Sequence, residues 1–328
     1  MASATFYDLQ SANRRRSWLL VFVVIVLLAA LGYSAGYGYT GDSIGGFGAM
    51  AGGIAFASFA SLGSYFAGDQ AVLAASQARA AEGPEYQQLR NVVAELALAA
   101  GVPTPKVYVI EDSAPNAFAT GRDPEHASVA VTTGLLAKLD REELQGVIAH
   151  ELSHVRNLDI RFALLVGVLV GSIALIADWL LRYTFWFGGG PRRGRDREGS
   201  GGGGAQAILF ILAMVLAIVA PIVARFVQLA VSRQREYLAD ASGAELTRNP
   251  VGLESALAKI ASDQDVLEVA NRSTQHMYIV NPIKKFEERA QGMLSTHPPI
   301  LERINRLRTL RGAPPLDAVN GAFLERLD

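Results

Sequence analysis

Four long apolar stretches dominate the pattern of hydrophobic and polar positions along this chain. They cover residues 18–37, 44–67, 162–181 and 207–231. Each approaches or exceeds the roughly 20 residues that a helix needs to cross the hydrocarbon core of a bilayer. The second is rich in glycine, alanine and serine, which let membrane helices pack closely. The pattern therefore predicts four transmembrane helices, arranged as two hairpins.

Outside these stretches the hydrophobic positions follow shorter periods. Runs rich in β-branched residues predict strands at residues 107–110 and 128–133, and the short segment 116–121 is a candidate edge strand. Helical periodicity predicts helices at residues 84–100, 134–138, 250–262, 283–290 and 299–309. Gly101 is expected to cap the C-terminus of the first of these helices, and Asp140 to cap the N-terminus of a further one. The expected fold is mainly α, with a small β-sheet in the soluble part.

Charged residues beside the apolar stretches orient the chain. The arginines at 14–16 precede the first stretch and keep the N-terminus in the cytoplasm by the positive-inside rule. Four crossings then give an anchor, a soluble part, a second hairpin and another soluble part, at residues 1–68, 69–160, 161–231 and 232–328. The flexible glycine- and arginine-rich loop at 188–204 would lie outside although it is basic. A second hairpin that enters the bilayer without crossing it is the alternative.

Composition narrows the possible functions. Half of the residues are hydrophobic and only 19% are charged, as in a multi-pass membrane protein. The net charge of −1 argues against a general nucleic-acid-binding surface. The chain has no cysteine, which excludes both a disulfide framework and a thiol nucleophile. Any catalysis therefore relies on other side chains.

The most informative polar pattern is His150-Glu151-Leu152-Ser153-His154. On a helix the two histidines share one face, so both can direct a ring nitrogen at one zinc ion. Glu151 can then act without being a ligand, by taking a proton from a water that the zinc acidifies. The simpler alternative is a helix with two surface histidines and a glutamate. The apolar positions around the motif predict a buried face and weaken that alternative.

A third metal ligand has to come from another part of the chain. Asn157 and Ile160 stand where a metzincin has glycine and histidine, so that class is excluded. A site with two histidines and one glutamate takes its carboxylate from a later helix. Glu236 offers one, and Asp240, one turn further on, can accept the free N–H of a ligating histidine. The alternative is a pair of solvated charges on a helix surface.

Four motifs in this order resemble the HtpX membrane metalloproteases, which are related to the CAAX prenyl proteases. They are Asn-Ala-Phe-Ala-Thr-Gly at 116–121, His-Glu-Leu-Ser-His at 150–154, Ser-Arg-Gln-Arg-Glu-Tyr-Leu-Ala-Asp at 232–240, and Ser-Thr-His-Pro-Pro at 295–299, followed by Arg303. The resemblance implies an α+β zincin-like (gluzincin) domain on the cytoplasmic side of the cell inner membrane. It also implies one Zn²⁺ per chain, held by His150, His154 and Glu236, with Glu151 as the catalytic base.

Two further sites are expected. Given the resemblance, His297 could donate to the oxyanion of a tetrahedral intermediate as a further catalytic residue, although a surface or capping histidine is the alternative. The segment that begins with Asn116, Ala117 and Phe118 is expected to be an edge strand that pairs with the substrate backbone. Such pairing tolerates many substrate sequences. An edge strand without that role is the alternative.

The expected function is a zinc-dependent endopeptidase that cleaves damaged or misfolded membrane proteins in stress-related quality control. Its partners would be membrane-protein or polypeptide substrates and the lipid bilayer, and no nucleic acid. A CAAX-type prenyl-protein protease is the alternative enzyme, against which the small number of spans argues. A non-enzymatic scaffold or holdase with a structural metal site is the other alternative. Structural zinc sites fill all four positions with Cys or His, which this set of residues does not offer.

Overall fold

The computed structural model is mainly helical and contains one small mixed β-sheet. It describes residues 6–165, 176, 178, 182, 202–263, 265, 278–279 and 298–316. The chain divides into two compact units. One unit consists of Met1–Arg14, Phe66–Leu164 and Gln228–Asp328, and the other of Arg15–Tyr65 and Leu165–Val227.

The described residues form eight helices and four strands. The helices are α1 (Phe6–Thr40), α2 (Ser43–Ala75), α3 (Gln87–Ala100), α4 (Thr133–Lys138), α5 (Arg141–Arg156), α6 (Gly202–Thr247), α7 (Pro250–Ser262) and α8 (Ile300–Leu310). The strands are β1 (Arg79–Ala80), β2 (Lys106–Ile110), β3 (Ala117–Thr120) and β4 (Ser128–Thr132). Short 3₁₀ turns lie at Pro84–Tyr86 and Pro124–His126.

Two of the described helices are long and apolar enough to cross a membrane. They are Val21–Thr40 within α1 and Ser43–Ala75, which is α2. They contain most of the first predicted stretch and all of the second. Within the fourth predicted stretch, α6 carries a shorter apolar run at Phe210–Val219. Most of the third stretch lies outside the described residues, so four crossings stay a prediction.

Helices α1 and α2 approach each other through glycines. A Cβ on Gly32 would lie 2.5 Å from the carbonyl oxygen of Ala49. A Cβ on Gly36 would collide with the carbonyl of Gly45. Because a hydrogen atom is the largest substituent that these positions accept, the glycine-rich composition of the hairpin accounts for its close packing.

The sheet has the strand order β1-β2-β4-β3. β2 and β4 are parallel, whereas β1 and β3 run antiparallel to their neighbours. β2, β3 and β4 agree with the predicted strands within two residues at each end. The two-residue strand β1 was not predicted because it is too short to show a hydrophobic period. β3 forms one edge of the sheet, where Phe118 makes an isolated antiparallel bridge to Tyr278.

Local sequence fixes the ends of the helices around the motif. Asp140 caps α5 in a capping box, because its side chain accepts the N–H of Glu143 and the Glu143 side chain accepts the N–H of Asp140, each at 2.9 Å. Gly101 ends α3 with φ of 68°. Both predicted caps are confirmed. The described core packs α3, α5 and α7 together, and Val147 and Leu152 on α5 are fully buried within it.

α7 and α8 are joined by a buried charge cluster. Glu254 on α7 is 2% exposed and accepts hydrogen bonds from Arg308 at 2.7 Å and Arg311 at 2.9 Å. α7 has the predicted bounds, and α8 begins one residue later than predicted. α6 begins at Gly202, inside the predicted loop 188–204, because the helix extends N-terminally beyond its apolar run. The rest of that loop and the predicted helix 283–290 lie outside the described residues.

Candidate metal centre

Three potential metal ligands from two helices meet beside the core. His150 and His154 lie one turn apart on α5, and Glu236 comes from α6. The two Nε2 atoms are 3.2 Å apart, and the Glu236 carboxylate oxygens lie 3.6 Å from that of His150 and 3.5 Å from that of His154. Ligand atoms bound at about 2.0–2.1 Å in a tetrahedral site lie roughly 3.3–3.4 Å from one another. These three side chains therefore fit a single Zn²⁺ ion.

α6 approaches α5 closely where it delivers the carboxylate. A Cβ on Gly243 would lie 3.0 Å from the backbone nitrogen of His150 and 3.2 Å from its Cα. Ala239, on the same helix, is completely buried. The small residues Ala239 and Gly243 thus allow the helix backbones to come close enough for Glu236 to reach both imidazoles.

A buried carboxylate orients the ring of His150. Asp240 Oδ1 lies 2.9 Å from His150 Nδ1, and the other ring nitrogen faces the metal position. Arg303 from α8 donates to both oxygens of Asp240, through Nη2 at 2.7 Å and Nε at 2.9 Å. Arg303 also donates to the carbonyl oxygen of Ile279 at 2.7 Å and is completely buried. A carboxylate behind an imidazole fixes its tautomer and raises its basicity as a ligand.

A second carboxylate serves His154 in the same way. Asp159 Oδ2 lies 3.0 Å from His154 Nδ1, and its other oxygen lies 3.6 Å from Arg235 Nη1. The Arg235 guanidinium lies over the ring of Phe162, 4.4 Å from its centroid. Each histidine therefore has an aspartate at Nδ1 and presents Nε2 to the metal position.

Glu151 lies between the two histidines in the sequence and is not one of the three potential ligands. It is 1% exposed, and its Oε1 atom makes no hydrogen bond within the described part of the chain. Burial raises the pKa of Glu151 above its ordinary value, against the charges of the two histidines and a hydrogen bond from the Ala119 backbone. A carboxylate with a raised pKa takes up a proton more readily than an ordinary carboxylate does.

Neighbouring charges and hydrogen bonds keep Asp240, His150 and Arg303 in their charged forms despite burial. Burial favours neutral Asp240, but Arg303 and His150 outweigh it and lower the pKa of the carboxyl below its ordinary value. Burial disfavours protonated His150, yet hydrogen bonds to Asp240 and Glu236 raise its pKa to about 9. The pKa of Arg303 is likewise raised by Asp240 despite burial. In the apo-protein a proton and a metal ion therefore compete for His150.

The structure brings together His150, Glu151, His154, Glu236 and Asp240, which the sequence singled out. Asn116 immediately precedes the edge strand β3, in which the next two residues lie. His297 lies outside the described residues, so its proposed role stays a prediction.

Sequence reasoning gave no role to Asp159 or Arg303. Asp159 follows His154 by five residues, just past the end of α5, where helical spacing gives no indication of contact. Arg303 belongs to the fourth motif, but only the docking of α8 shows that it reaches Asp240.

A second group of possible ligands is explained by local structure. Asp123, Glu125 and His126 lie close together at the surface. Asp123 caps the 3₁₀ turn by accepting the N–H of His126 at 2.9 Å, and it also lies 2.6 Å from the His126 ring. A turn cap accounts for this arrangement.

Known proteins are similar to this sequence over nearly its whole length. Residues 84–311 match peptidase family M48. The protease HtpX homolog of Thermoanaerobacter pseudethanolicus is 44% identical over 317 residues, which are 94% of this chain and 99% of that protein. The homolog of Dictyoglomus thermophilum is 43% identical, covering 94% and 96%. That of Streptococcus gordonii is 41% identical, covering 92% and 98%.

A solved structure is more distantly similar. The crystal structure of S. mikatae Ste24p matches 77% of this chain and 57% of its own, with 18% identity and a TM-score of 0.44. The family match and the HtpX homologs confirm the expected resemblance and enzyme class, and the chain is a zinc metalloprotease that belongs to peptidase family M48.

Proposed function

We propose that this protein is a membrane-anchored endopeptidase with one Zn²⁺ ion bound by His150, His154 and Glu236. The observation that carries the proposal is the 3.2–3.6 Å separation of the three donor atoms, beside a buried carboxylate that is not part of the set. Three ligands leave one coordination position for the reaction, which distinguishes a catalytic zinc site from a structural one.

Each side chain of the site has a separate role in peptide hydrolysis. The bound ion would polarise the scissile carbonyl and lower the pKa of the attacking water. Glu151 takes a proton from that water and transfers it to the leaving amine, as its raised pKa allows. Asp240 and Asp159 hold the histidines in the tautomer that leaves Nε2 available. Within this proposal His297 donates to the oxyanion.

The proposed substrates are damaged or misfolded membrane proteins, cut on the cytoplasmic side of the cell inner membrane. In the sequence, Glu236 follows the fourth apolar stretch at 207–231 by five residues, and His154 precedes the third stretch at 162–181 by eight. These short separations support an active site close to the bilayer surface. The proposed arrangement keeps four spans, with residues 69–160 and 232–328 as the catalytic parts.

A pair of variants tests the catalytic assignment. Glu151→Gln keeps the size of the side chain and all three ligands but cannot take up the proton. We expect near wild-type zinc content and at least about 10²-fold lower hydrolysis of a detergent-solubilised membrane substrate. The matched Glu236→Ala variant should lose both zinc and activity. Full activity in the Gln variant would refute the role of Glu151, and stoichiometric zinc in the Ala variant would refute that of Glu236.

The topology has its own test, which the absence of native cysteine makes clean. A cysteine introduced by Ser200→Cys should react with an impermeant thiol reagent added to intact cells. One introduced by Ser295→Cys should react only after lysis. If the cysteine at 200 also requires lysis, the second hairpin does not cross the bilayer. The assignment of the metal ligands does not depend on that result.

A further inference from the structure

β3 is an edge strand that packs against α5, the helix that carries the proposed catalytic base. Asn116 accepts the N–H of Thr132 next to β4, and Phe118 is paired with Ala130 of that strand. Because backbone groups alternate in direction along an antiparallel strand, those of Ala117 and Ala119 face away from β4. The backbone of Ala119 lies close enough to Glu151 to lower the pKa of its carboxyl, and β3 packs against α5. β3 therefore lies next to the helix that carries the proposed catalytic base.

This outward side already holds a piece of the same chain. The N–H of Ile279 donates to the carbonyl oxygen of Ala117 at 2.9 Å, and Tyr278 forms the antiparallel bridge opposite Phe118. The carbonyl of Ile279 accepts a hydrogen bond from Arg303 at 2.7 Å. Both backbone polar groups of Ile279 are thus bound, the N–H by β3 and the carbonyl by the arginine that also holds Asp240.

The side chains of residues 278–279 lie on opposite sides of the strand. The ring of Tyr278 packs edge-on against Phe118 with centroids 5.0 Å apart, and its hydroxyl lies 3.3 Å from Ser76 Oγ. Ile279 instead joins the large core cluster that contains residues of α5 and α8. Both are 1% exposed. One residue bound by an edge strand through its backbone, with alternating side chains in opposite pockets, is the manner in which extended peptides add to a sheet.

We propose that residues 278–279 are an internal pseudosubstrate, which occupies the peptide-binding edge of β3 and has to be displaced before a polypeptide substrate can bind there. This inference rests on the proposed function, because it needs a substrate that binds as a strand. Displacement makes available one acceptor, the Ala117 carbonyl, and one donor, the Arg303 guanidinium. An incoming peptide residue supplies the N–H and the carbonyl that both groups need.

The exchange would replace one set of strand contacts with another of the same kind. Residues 278–279 are joined to β3 by an antiparallel bridge and a backbone hydrogen bond. An extended substrate can pair along Ala117–Thr120 and supply equivalent contacts. Only an extended polypeptide offers its backbone groups in this way, which gives the protease a preference for unfolded chains.

Hydrogen exchange tests the displacement on the full-length protein in detergent. The Glu151→Gln variant, which should bind substrate without cutting it, is mixed with an unfolded polypeptide such as reduced, carboxymethylated casein. Exchange is then followed by mass spectrometry in the peptide that contains residues 278–279. We expect at least tenfold faster exchange there when casein is bound. Unchanged or slower exchange with casein bound would overturn the inference, because the segment would then be a fixed wall of the site.

A reversible crosslink gives an independent test. Phe118 and Tyr278 face each other as a pair without mutual backbone hydrogen bonds, the closer type of antiparallel pair. The double variant Phe118→Cys and Tyr278→Cys should form a disulfide that locks the segment onto β3. We expect kcat/KM for casein to fall at least tenfold on oxidation and to return on reduction. The Tyr278→Cys single variant, treated identically, controls for oxidation itself.

The possible outcomes separate the two proposals. Equal activity of the locked and reduced forms would overturn the pseudosubstrate while leaving the protease assignment intact. If the double variant is inactive in both states, the exchange experiment on the Glu151→Gln variant decides. If the unmodified zinc-loaded protein does not cleave casein or any unfolded membrane protein, the proposed function fails, and the pseudosubstrate fails with it.

Discussion

Asp240 and Arg303 form a buried ion pair whose removal should affect stability and metal binding differently. Their side chains are joined by two hydrogen bonds, at 2.7 and 2.9 Å, and are 2% and 0% exposed. Asp240→Asn keeps the shape and leaves Oδ1 able to accept from His150, but it removes the charge opposite the guanidinium. Arg303→Met keeps much of the volume and leaves the carboxylate without its cation.

The expected loss of folding stability depends on the charge that stays buried in each variant. Removing one partner of a buried ion pair typically costs about 3–5 kcal/mol, because the other charge stays buried without compensation. In a domain of this size each kcal/mol of lost stability lowers Tm by about 2–4 °C. The Tm of each single variant should therefore be lower by roughly 6–20 °C. The double variant leaves neither charge buried. Its loss should be smaller than the sum of the two single losses by about 0.5–3 kcal/mol.

Thermal unfolding of the four apo-proteins in the same detergent measures this cycle. Zinc affinity, determined by competition with a chelator, is the second measurement. Asp240→Asn should weaken it by roughly 10–100-fold, because the imidazole of His150 loses its anionic partner. Additive Tm losses in the cycle would show that the two side chains do not stabilise each other. Unchanged zinc affinity in Asp240→Asn would refute the role of Asp240 behind the metal ligand.

Two further predictions concern proton competition and packing. Since the pKa of His150 in the apo-protein is about 9, zinc binding below that pH should release a proton, and zinc affinity should rise with pH up to about 9. Calorimetry in two buffers of different ionisation enthalpy measures the release, and buffer-independent heats would contradict it. Gly146→Ala should destabilise the fold by about 1–2 kcal/mol, because the new Cβ would lie 2.5 Å from the Leu253 nitrogen and overpacking outweighs the gain in helix propensity. Gly48→Ala, where a Cβ meets nothing within 4 Å, is the matched control in the same thermal unfolding assay. An equal Tm in both variants would contradict the prediction, because it would show that α5 and α7 can separate at no cost in free energy.

The sequence predicted local features better than contacts between distant segments. The N-cap at Asp140, the end of α3 at Gly101 and the bounds of α7 depend on residues within one or two turns, and all were found. The strand β1 and the bridge at Tyr278 were not predicted. Their pairing depends on partners many residues away, and one or two residues show no hydrophobic period.

The same distinction applies to the metal centre. Residue type and helical spacing indicated His150 and His154, and the chemistry of zinc required a third ligand such as Glu236. The roles of Asp159 and Arg303 could not be derived in this way. A carboxylate just beyond a helix end and an arginine on a distant helix become partners of the site only through the turn after α5 and the docking of α8 on α7.

The aspartates that contact the two histidines come from different parts of the chain. Asp159 follows His154 within the same short stretch, whereas His150 depends on Asp240 and Arg303, which are made 90 and 153 residues later. Because a polypeptide is synthesised from its N-terminus, a chain that ends before Glu236 has both imidazoles but no complete ligand set. Proteolytic competence therefore requires that synthesis has passed Glu236, and the arginine behind Asp240 follows only at position 303. A nascent chain shorter than this cannot digest itself or its neighbours.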